Sequence, residues 1–392
     1  MTINQLLQPE IQNYIYKNEN EAISKLALQK NPFPDFDYKA IINQIECRAK
    51  AKSKLPTWFN TKNIIYPSKI SVEQTSSEKT ANYKAQLVSG KTLIDLTGGF
   101  GVDVSYFAKT VSQVTHCESD ANLSAIVAHN FKQLQISNTI CIAGDSTEIL
   151  KKLGQKFETI YIDPSRRNKS KGKVFMLQDC LPNVVELLDF YFLYTHKILI
   201  KTAPILDIKA GLLELKNVKN IHIIAVENEV KELLWELEHN YQNSITIKTG
   251  NYSKLKLETF DFDLNSNATS TFGLPKKYLY EPNNAIMKSG GFVDIGNHFG
   301  LEKLHQHSHL YTSNSILNFP GRVFEIMKEI QFSKKELKEH LENKKINITI
   351  RNFPNTVENI RKKFKIKEGS NDYCFFTTDK NENKIVLICK KI

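Results

Sequence analysis

The chain has 392 residues, of which 41% are hydrophobic and 24% are charged, the balance of a globular protein of about two to four domains. No apolar run reaches the length of a membrane helix, and the N-terminus lacks a basic segment followed by an apolar one, so we expect a cytoplasmic protein without a signal peptide. The net charge of +11 favours a polyanionic partner, most simply nucleic acid. The six cysteines form no C-x-x-C pair, so neither a disulfide framework nor a zinc site is expected.

Residues 1–75 contain no glycine and have the apolar spacing of amphipathic helices. One of these helices is predicted from Tyr38 to about Ala51. Trp58 and Phe59 are expected to pack this helical N-terminal domain against the next domain, and a position near the functional site is the alternative. The pair Ser76-Ser77, followed by an acid, predicts a helix start, and that helix is expected to run to about Val88.

From Lys91 onward, short apolar runs alternate with amphipathic segments. This alternation predicts a Rossmann-like, doubly wound α/β sheet in a domain that spans residues 76–265. The strands are predicted at Thr92–Leu96, Val114–Glu118, Thr139–Ala143, Phe157–Ile162, Lys197–Lys201, Asn220–Val226, Ser244–Lys248 and Leu255–Phe260. The helices are predicted at Asp103–Lys109, Ala121–Ile136, Thr147–Leu153, Leu181–Tyr191, Ile205–Leu213 and Glu229–Glu238.

The remaining residues predict a small α+β region after a polar, turn-rich boundary near residues 261–270. A connecting α+β module is expected over residues 266–330, with Tyr278–Asn284 as loop and Leu310–Thr312 and Val323–Ile326 as short strands. A second α+β domain is expected over residues 331–392. One helix is predicted to begin at Ser333 and another to run from about Val357 to Phe364. The strands are predicted to cover Ile346–Ile350, Asp372–Thr377 and Lys384–Cys389.

The turn after the first predicted strand contains three glycines in four residues, Gly98, Gly99 and Gly101. Glycines allow a positive φ and a close approach of the backbone to a ligand, and the next helix points free N–H groups into such a turn. The turn could hold NAD or S-adenosylmethionine, or it could be a turn without a ligand. The G-x-G-x-x-G spacing of dinucleotide sites is absent, and Asp95 offers a carboxylate to an amino acid group, which favours S-adenosylmethionine.

Two further acids stand at the ends of the next two predicted strands. Glu118, followed by Ser119, is placed to bond ribose hydroxyls, as an acid at a similar position does in nucleotide-binding folds. Asp145, followed by Ser146, ends the third strand. Three acids at successive strand ends indicate a nucleotide-like cofactor, and the alternative is that each acid only caps a helix.

This pattern resembles the D-x-G-x-G-x-G signature of class I S-adenosylmethionine-dependent methyltransferases. Gly99 and Gly101 match its last two glycines, and Thr97 replaces the first. The stretch from Glu118 to Asn130 resembles the acid–x–Asp–…–Asn pattern of RNA methyltransferases. The resemblance implies that the amino acid, ribose and adenine parts of the cofactor are bound by Asp95, Glu118 and Asp145, respectively.

The fourth strand ends in Asp163-Pro164-Ser165-Arg166-Arg167, which resembles the Asp/Asn-Pro-Pro-aromatic catalytic motif of amino-directed methyltransferases. No aromatic residue follows the proline, and Asp-Pro-x-Arg is nearer to the motif of RNA uracil-5-methyltransferases. Those enzymes need a cysteine nucleophile after the fifth strand. This chain has Lys201-Thr202-Ala203-Pro204 there, so covalent carbon-5 chemistry is disfavoured.

The same strand end supplies the predicted transfer site. Asp163 is expected to contact the cofactor and to accept a proton or hold the nucleophile, and Ser165 to hydrogen-bond that nucleophile. Arg166 or Arg167 is expected to bind phosphate. Lys201 and Asp207 are expected at the same edge of the pocket. The alternative is a structural turn after Pro164 whose arginines face solvent.

Together with this core, the C-terminal residues resemble bacterial class I methyltransferases with a THUMP-like C-terminal domain. The resemblance covers nearly the whole chain, and THUMP domains imply an RNA partner, although the basic helix Glu358–Lys367 could equally be a solvated face. His305, His307 and His309 alternate and would share one face of a strand. A surface or packed cluster is favoured there over a metal site, and no metal is expected.

These patterns lead to one hypothesis and two alternatives. The hypothesis is a methyltransferase that uses S-adenosylmethionine and modifies a tRNA or rRNA base by direct transfer, without a cysteine nucleophile. One alternative is an RNA-binding protein with a vestigial cofactor pocket, and the other is a small-molecule methyltransferase. The sequence does not identify the RNA, the methylated atom or the oligomeric state.

Overall fold

The computed structural model describes residues 1–166 and 176–392. The chain divides into two compact units. The first comprises Met1–Lys219 and Leu234–Gln242, and the second comprises Asn220–Leu233 and Asn243–Ile392. Within the described residues, none of the helices is both long and apolar enough to cross a membrane.

The first unit begins with seven helices, which bear out the helical character predicted for residues 1–75. They are α1 (Ile3–Leu6), α2 (Pro9–Lys17), α3 (Ile23–Ala27), α4 (Tyr38–Lys54), α5 (Pro56–Asn60), α6 (Lys69–Gln74) and α7 (Glu78–Ala85). The apolar faces of α2, α3 and α4 meet in a core around Ile11, Leu26 and Ile41. Ser77 caps α7 as predicted, since its side chain accepts a hydrogen bond from the backbone N–H of Thr80.

Alternating strands and helices follow in the first unit. They are β1 (Gly90–Asp95), α8 (Val102–Phe107), β2 (Val111–Glu118), α9 (Ala121–Gln133), β3 (Thr139–Ala143), α10 (Ser146–Leu153), β4 (Thr159–Ile162), β5 (Ser165–Arg166), a 3₁₀ turn (Leu177–Asp179), β6 (Cys180–Leu181), α11 (Val184–Phe192), β7 (Lys197–Thr202) and α12 (Ile208–Glu214). Strands β7, β4, β1, β2 and β3 pair in that order, all parallel. The Rossmann-like α/β fold class is therefore confirmed, and the carboxyl ends of these strands share one edge.

The helical N-terminal residues are fastened to this sheet by a buried amide. Asn130 on α9 is fully buried; its Nδ2 donates to the carbonyl of Ile65 at 2.8 Å, and its Oδ1 accepts from the N–H of Ile65 at 2.9 Å. Trp58 is also buried, with its ring centroid 4.7 Å from that of Phe100 in the glycine turn. The predicted packing role of Trp58 agrees with this contact.

Strands β8 (Val218–Val226) and β9 (Glu229–Glu238) correct one prediction, because Glu229–Glu238 was expected to be a helix. Between the two strands, Glu227 and Asn228 both have a positive φ, of 49° and 64°. Two such residues form the tight turn of a β-hairpin, which reverses the chain at once. Apolar residues of β9 are buried on both of its faces, so the strand lacks the alternation that would have distinguished it from a helix.

The second unit contains β10 (Thr246–Tyr252), β11 (Leu257–Asp263), β12 (Tyr278–Pro282), α13 (Asn284–Ser289), α14 (Phe292–His298), β13 (Glu302–Lys303), β14 (Tyr311–Ser313), β15 (Gly321–Gln331), α15 (Lys334–Leu341), β16 (Asn347–Ile350), α16 (Val357–Phe364), β17 (Asp372–Thr378) and β18 (Lys384–Lys391). Seven of these strands form one sheet in the order β13-β14-β12-β15-β18-β17-β16. The predicted α+β character of the C-terminal region is confirmed.

One prediction for this unit is wrong in detail, and one conditional arrangement is not present. Tyr278–Pro282, expected as loop, is a strand that pairs antiparallel with both β14 and β15. The three histidines do not share a strand face, because they lie in a turn and irregular chain after β13. Instead, His305 Nε2 lies 2.7 Å from Glu382 Oε1, and His305 Nδ1 lies 2.8 Å from the side-chain nitrogen of Asn352.

A buried acid links three strands of the same sheet. Glu281 on β12 is almost fully buried and accepts from Arg322 Nε on β15 at 2.6 Å. It also accepts from an Nη of Arg351, the residue after β16, at 2.7 Å. Two guanidinium groups on one buried carboxylate compensate its desolvation. Most of the predicted elements of this region are thus present, while the domain boundaries at residues 75, 265 and 330 stay predictions.

Candidate functional site

A cavity of about 210 Å³ lies at the carboxyl ends of β1 and β4, within the first unit. Six of the predicted site residues line it: Asp95, Thr97, Gly99, Gly101, Asp163 and Ser165. The described lining does not include the other predicted residues Glu118, Ser119, Asp145, Ser146, Pro164 and Lys201. Arg167 and the side chain of Arg166 lie outside the described part of the chain.

The glycine turn is shaped by its packing as well as by its backbone. Gly99 and Gly101 have a positive φ, of 55° and 77°. A Cβ on Gly101 would lie 2.7 Å from Val127 and 2.8 Å from Phe131, two residues on the buried face of α9. Any larger residue at position 101 would therefore strain the backbone and collide with α9.

Asp95 is a buried carboxylate at the end of β1, with 2% of its surface exposed. Its Oδ1 accepts from the Thr97 N–H at 2.9 Å and from Thr97 Oγ1 at 3.1 Å. Burial, with the nearby carboxylates of Asp103 and Asp163, raises the pKa of Asp95 to about 8 against the lowering effect of Thr97. Ionisation of Asp95 is thus costly beside two other carboxylates, and a cationic ligand group would stabilise the ionised form.

Glu118 supports the glycine turn from the end of β2. Its Oε2 accepts from the backbone N–H of Gly99 at 2.8 Å, and its Oε1 accepts from Ser119 Oγ at 3.0 Å. This acid therefore fixes the position of the loop that lines the cavity. The predicted ribose contact of Glu118 stays a prediction.

Asp145 caps a helix, as the alternative interpretation of this residue proposed. Its Oδ1 accepts from the Glu148 N–H at 3.0 Å, in the first turn of α10, and the residue is exposed. A capping role leaves one carboxylate oxygen for another partner, so the predicted adenine contact stays open. Ser146 is the first residue of α10 and is half-buried.

Asp163 and Lys201 form an ion pair at the predicted transfer site. Lys201 Nζ on β7 lies 2.5 Å from Asp163 Oδ2, and the side chain of Asp163 is 39% exposed. Pro164 is buried and Ser165 is exposed next to them. Asp207, expected at the same edge, instead caps α12 by accepting from the Ala210 N–H, and the described cavity lining does not include it.

Four residues that the sequence analysis missed form a polar network beside the cavity. Lys84 on α7 is fully buried; its Nζ lies 3.2 Å from Asp103 Oδ1 and donates to Ser76 Oγ at 3.1 Å. Asp103 Oδ2 accepts from Ser76 Oγ at 2.9 Å and from Tyr161 Oη at 2.8 Å. Burial alone would raise the pKa of Asp103, but the charges of Lys84 and Lys201 and these hydrogen bonds hold it below its usual range.

A sequence signal for this network exists, although it is weak. Lys84 falls on the buried face of α7 with Ala81 and Ala85, where a lysine needs a buried partner. Nothing local identifies that partner as Asp103. Ser71 and Gln74 on α6, and Thr75 just after it, also line the cavity, so the N-terminal helical residues contribute one of its walls.

Family models match two adjacent segments of the second unit. Residues 278–320 match a ferredoxin-like domain, and residues 321–391 match a THUMP domain-like family. No curated protein matches the chain. The THUMP-like character predicted for the C-terminal region is therefore confirmed.

Solved structures extend the similarity to the whole chain. A candidate methyltransferase from Porphyromonas gingivalis W83 matches 100% of this chain and 99% of its own, at 29% sequence identity and a TM-score of 0.88. An rRNA methylase from Streptococcus thermophilus matches 42% of this chain and 96% of its own, at 15% identity and a TM-score of 0.30. M. capricolum TrmK, solved with S-adenosylhomocysteine, matches 41% of this chain and 68% of its own, at 13% identity and a TM-score of 0.32.

The last two similarities are too low to carry an argument, and the first carries the assignment of the fold. It spans both chains almost completely, and the THUMP-like match covers the C-terminal residues of the same chain. The resemblance seen in the sequence is thereby confirmed: this chain combines a class I methyltransferase fold with a THUMP-like C-terminal domain.

Proposed function

We propose that the protein is an S-adenosylmethionine-dependent methyltransferase that acts on an RNA base. The observation that carries the proposal is the cavity, which brings the glycine turn, the buried Asp95 and the ion-paired Asp163 to the edge where parallel α/β sheets bind ligands. The full-length similarity to a candidate methyltransferase supports it.

The donor set of the cavity fits S-adenosylmethionine. The cofactor carries an ammonium and a sulfonium group, and the buried carboxylate of Asp95 would stabilise positive charge. Gly99 and Gly101 leave room for its close approach, while Thr97 and Asp163 bound the same space. We assign the amino acid, ribose and adenine contacts to Asp95, to Glu118 with Ser119, and to Asp145 with Ser146.

When bound, S-adenosylmethionine supplies an electrophilic methyl group on a cationic sulfur. The chain's part is to hold a nucleophile in line with that group, and such positioning supplies much of the rate. Asp163 can take the proton that the nucleophile loses, and Lys201 fixes the carboxylate and balances its charge. Ser165 can donate to the acceptor, Pro164 limits the backbone beside it, and Arg166 is assigned to phosphate. A cysteine nucleophile has no place in this proposal.

RNA is the proposed acceptor because of the second unit and the net charge. The THUMP-like match and the charge of +11 both favour a polyanionic partner, and the family resemblance of the sequence implies that this partner is RNA. An RNA substrate also agrees with the expected cytoplasmic location. Because the charges act through counterion release, transfer should weaken steeply as salt rises.

A transfer assay tests the proposal. The full-length protein is incubated with tritiated S-adenosylmethionine and total RNA, with Asp163→Asn as the inactive control and with a salt series from 50 to 300 mM. We expect RNA-bound tritium in the wild type, little with the variant, and a steep loss with salt.

Two other outcomes would favour the alternatives. Tight binding of S-adenosylmethionine without transfer to any RNA would indicate a vestigial pocket on an RNA-binding protein. Transfer to a small molecule at a rate that does not depend on the salt concentration would indicate a small-molecule methyltransferase. The first result would overturn the proposed transfer activity, and the second would overturn the assignment to RNA.

A further inference from the structure

Backbone hydrogen bonds join two connecting segments of the second unit that lie far apart in sequence. The N–H of Asn343, in the turn after α15, donates to the carbonyl of Phe364 at the end of α16, at 3.0 Å. The N–H of Lys367 donates to the carbonyl of Lys344 at 2.9 Å, and the N–H of Ile346 donates to the carbonyl of Lys367 at 2.9 Å. The turn before β16 is therefore fixed against the segment that follows α16.

This junction brings together lysines from both segments and from the last turn of α16. All of them are exposed, and we call them the lysine surface: Lys344, Lys345, Lys362, Lys363, Lys365 and Lys367. A β-bridge places Lys345 beside Lys367. A Cβ on Gly369 would lie 2.6 Å from Lys345 Cε, so the glycine leaves room for this side chain along the backbone. The fold thus adds the lysines of the turn to those of the helix.

The lysine surface has no acidic compensation among the described residues. No ion pair in that part of the chain includes one of its lysines, and the neighbouring Glu368 pairs instead with Arg361 at 2.9 Å. Helix α15 is different, because its exposed lysines are interspersed with acids, as is typical of a solvated helix face. Crowded like charges repel one another and lower stability, so an uncompensated lysine surface indicates a role in binding a negatively charged partner.

The composition of the lysine surface favours a nucleic acid over a membrane. The large apolar side chains within residues 342–370 are all buried or half-buried, whereas a surface that binds a membrane inserts exposed apolar side chains into it. Lysine binds a phosphate as a point charge and lacks the planar fork of arginine, which recognises two acceptor atoms at once. Contacts of this kind hold a phosphate backbone in place and carry no direct information about the bases.

We propose that the lysine surface binds the phosphate backbone of the RNA substrate and raises the affinity of the protein for it without selecting a base sequence. This inference rests on the proposed function, in which RNA is the methyl acceptor. Each lysine that contacts a phosphate releases condensed counterions, so the affinity depends on the number of these lysines and on the salt concentration. The lysine surface is therefore a positioning site, which sets how tightly RNA is held and leaves the transfer chemistry unchanged.

Two variants of the full-length protein separate the lysine surface from net charge. The surface variant combines three substitutions, Lys344→Gln, Lys362→Gln and Lys367→Gln. The control variant removes the same charge from exposed lysines of α15 that have acids beside them, by Lys334→Gln, Lys335→Gln and Lys338→Gln. Fluorescence anisotropy with labelled poly(U) and poly(A) of about 20 nucleotides, over about 50 to 300 mM salt, measures the binding of RNA.

We expect the surface variant to bind poly(U) and poly(A) about tenfold more weakly than the wild type at the lowest salt concentration, by the same factor for both RNAs. The slope of log affinity against log salt concentration should become shallower by about two, since each lost contact with a single strand removes about 0.7. The control variant should stay within about threefold of the wild type. In tritium transfer to total RNA, the surface variant should have a raised KM for RNA and a kcat within about twofold of the wild type.

Equal weakening by the surface and control variants would overturn the inference, because net charge alone would then explain the binding. Weakened binding of poly(U) without weakened binding of poly(A) would also overturn it, because the surface would then recognise bases. Binding to phosphatidylserine vesicles that is lost in the surface variant, while RNA binding is kept, would assign the surface to a membrane. A wild type that transfers no methyl group to RNA would contradict the proposed function, whereas normal transfer with unchanged RNA affinity in the surface variant would contradict this inference alone.

Discussion

Asp163 and Lys201 place a carboxylate and an ammonium group 2.5 Å apart at the end of β4, beside the cavity. A carboxylate fixed in this way is a suitable proton acceptor for a nucleophile that loses a proton during transfer. The ion pair therefore supports the proposed role of Asp163 as the proton acceptor, where the Asp-Pro-x-Arg pattern gave only its position.

Replacing Asp163 by asparagine should separate chemistry from cofactor binding. We expect the turnover number for RNA methylation to fall about 10²- to 10⁴-fold, because the proton acceptor is lost. The dissociation constant for S-adenosylmethionine should change far less. Asp189→Asn, an exposed acid on α11, is the matched control, and equal turnover in the two variants would contradict the assigned role.

The buried ion pair of Lys84 and Asp103 should matter for stability. Lys84→Met leaves the Asp103 carboxylate without its nearest cation, and we expect the free energy of unfolding to drop by about 3–5 kcal/mol. Lys84→Met combined with Asp103→Asn should recover part of that loss. Urea denaturation measures both, with the exposed Lys79→Met as control, and a fully stable Lys84→Met protein would refute the expectation.

Ionisation of Asp95 should lower the free energy of unfolding as the pH rises. Such a cost is expected of a residue whose role is to bind a ligand. Its pKa is raised to about 8 in the fold, from an ordinary value of about 4 in the unfolded chain. A raised folded pKa gives stability that is present below the unfolded value and is lost as the pH rises toward the folded value.

Asp95→Asn should therefore be more stable than the wild type at pH 8, and the gap should shrink toward pH 5. Urea denaturation at both pH values, without added ligand, measures this difference. A stability difference between the two proteins that is constant with pH, or that widens on acidification, would show that the fold does not raise the pKa of Asp95.

Among the secondary-structure elements, local patterns succeeded where a strand or helix has one clear signal. Strand β3 and helix α16 have the predicted bounds because alternation, capping and turn residues agree there. Strand β9 was assigned wrongly because its apolar residues are buried on both faces and its turn, at Glu227 and Asn228, lacks the usual glycine. Burial in the folded protein determines that this segment is a strand, and no local sequence pattern contains that information.

Helix α9 has a buried anchor whose importance can be measured. Asn130→Ala removes two hydrogen bonds and leaves the peptide groups of Ile65 unsatisfied in a buried position, so we expect a loss of about 2–3 kcal/mol in the free energy of unfolding. Asn122→Ala, exposed on the same helix, should cost far less. Equal losses in the two variants would mean that Asn130 does not fasten the N-terminal residues.

At the scale of the whole molecule, the sequence predicts the arrangement of the strands better than it predicts which side chains contact one another. The ends of parallel strands share an edge, so Asp95, Thr97 and Asp163 could be placed together before the structure was known. The network of Lys84, Asp103 and Tyr161 could not, because it depends on how α7 packs on α8. No sequence pattern specifies which RNA the proposed substrate would be.

Equilibrium binding of S-adenosylmethionine to the full-length protein, compared with NAD in the same titration calorimeter, tests the proposed function most directly. The cavity should bind one S-adenosylmethionine per chain, and NAD should produce no binding heat, since the turn lacks the dinucleotide spacing. Absence of S-adenosylmethionine binding, or equally tight binding of NAD, would contradict the assignment of this cavity to a methyl donor.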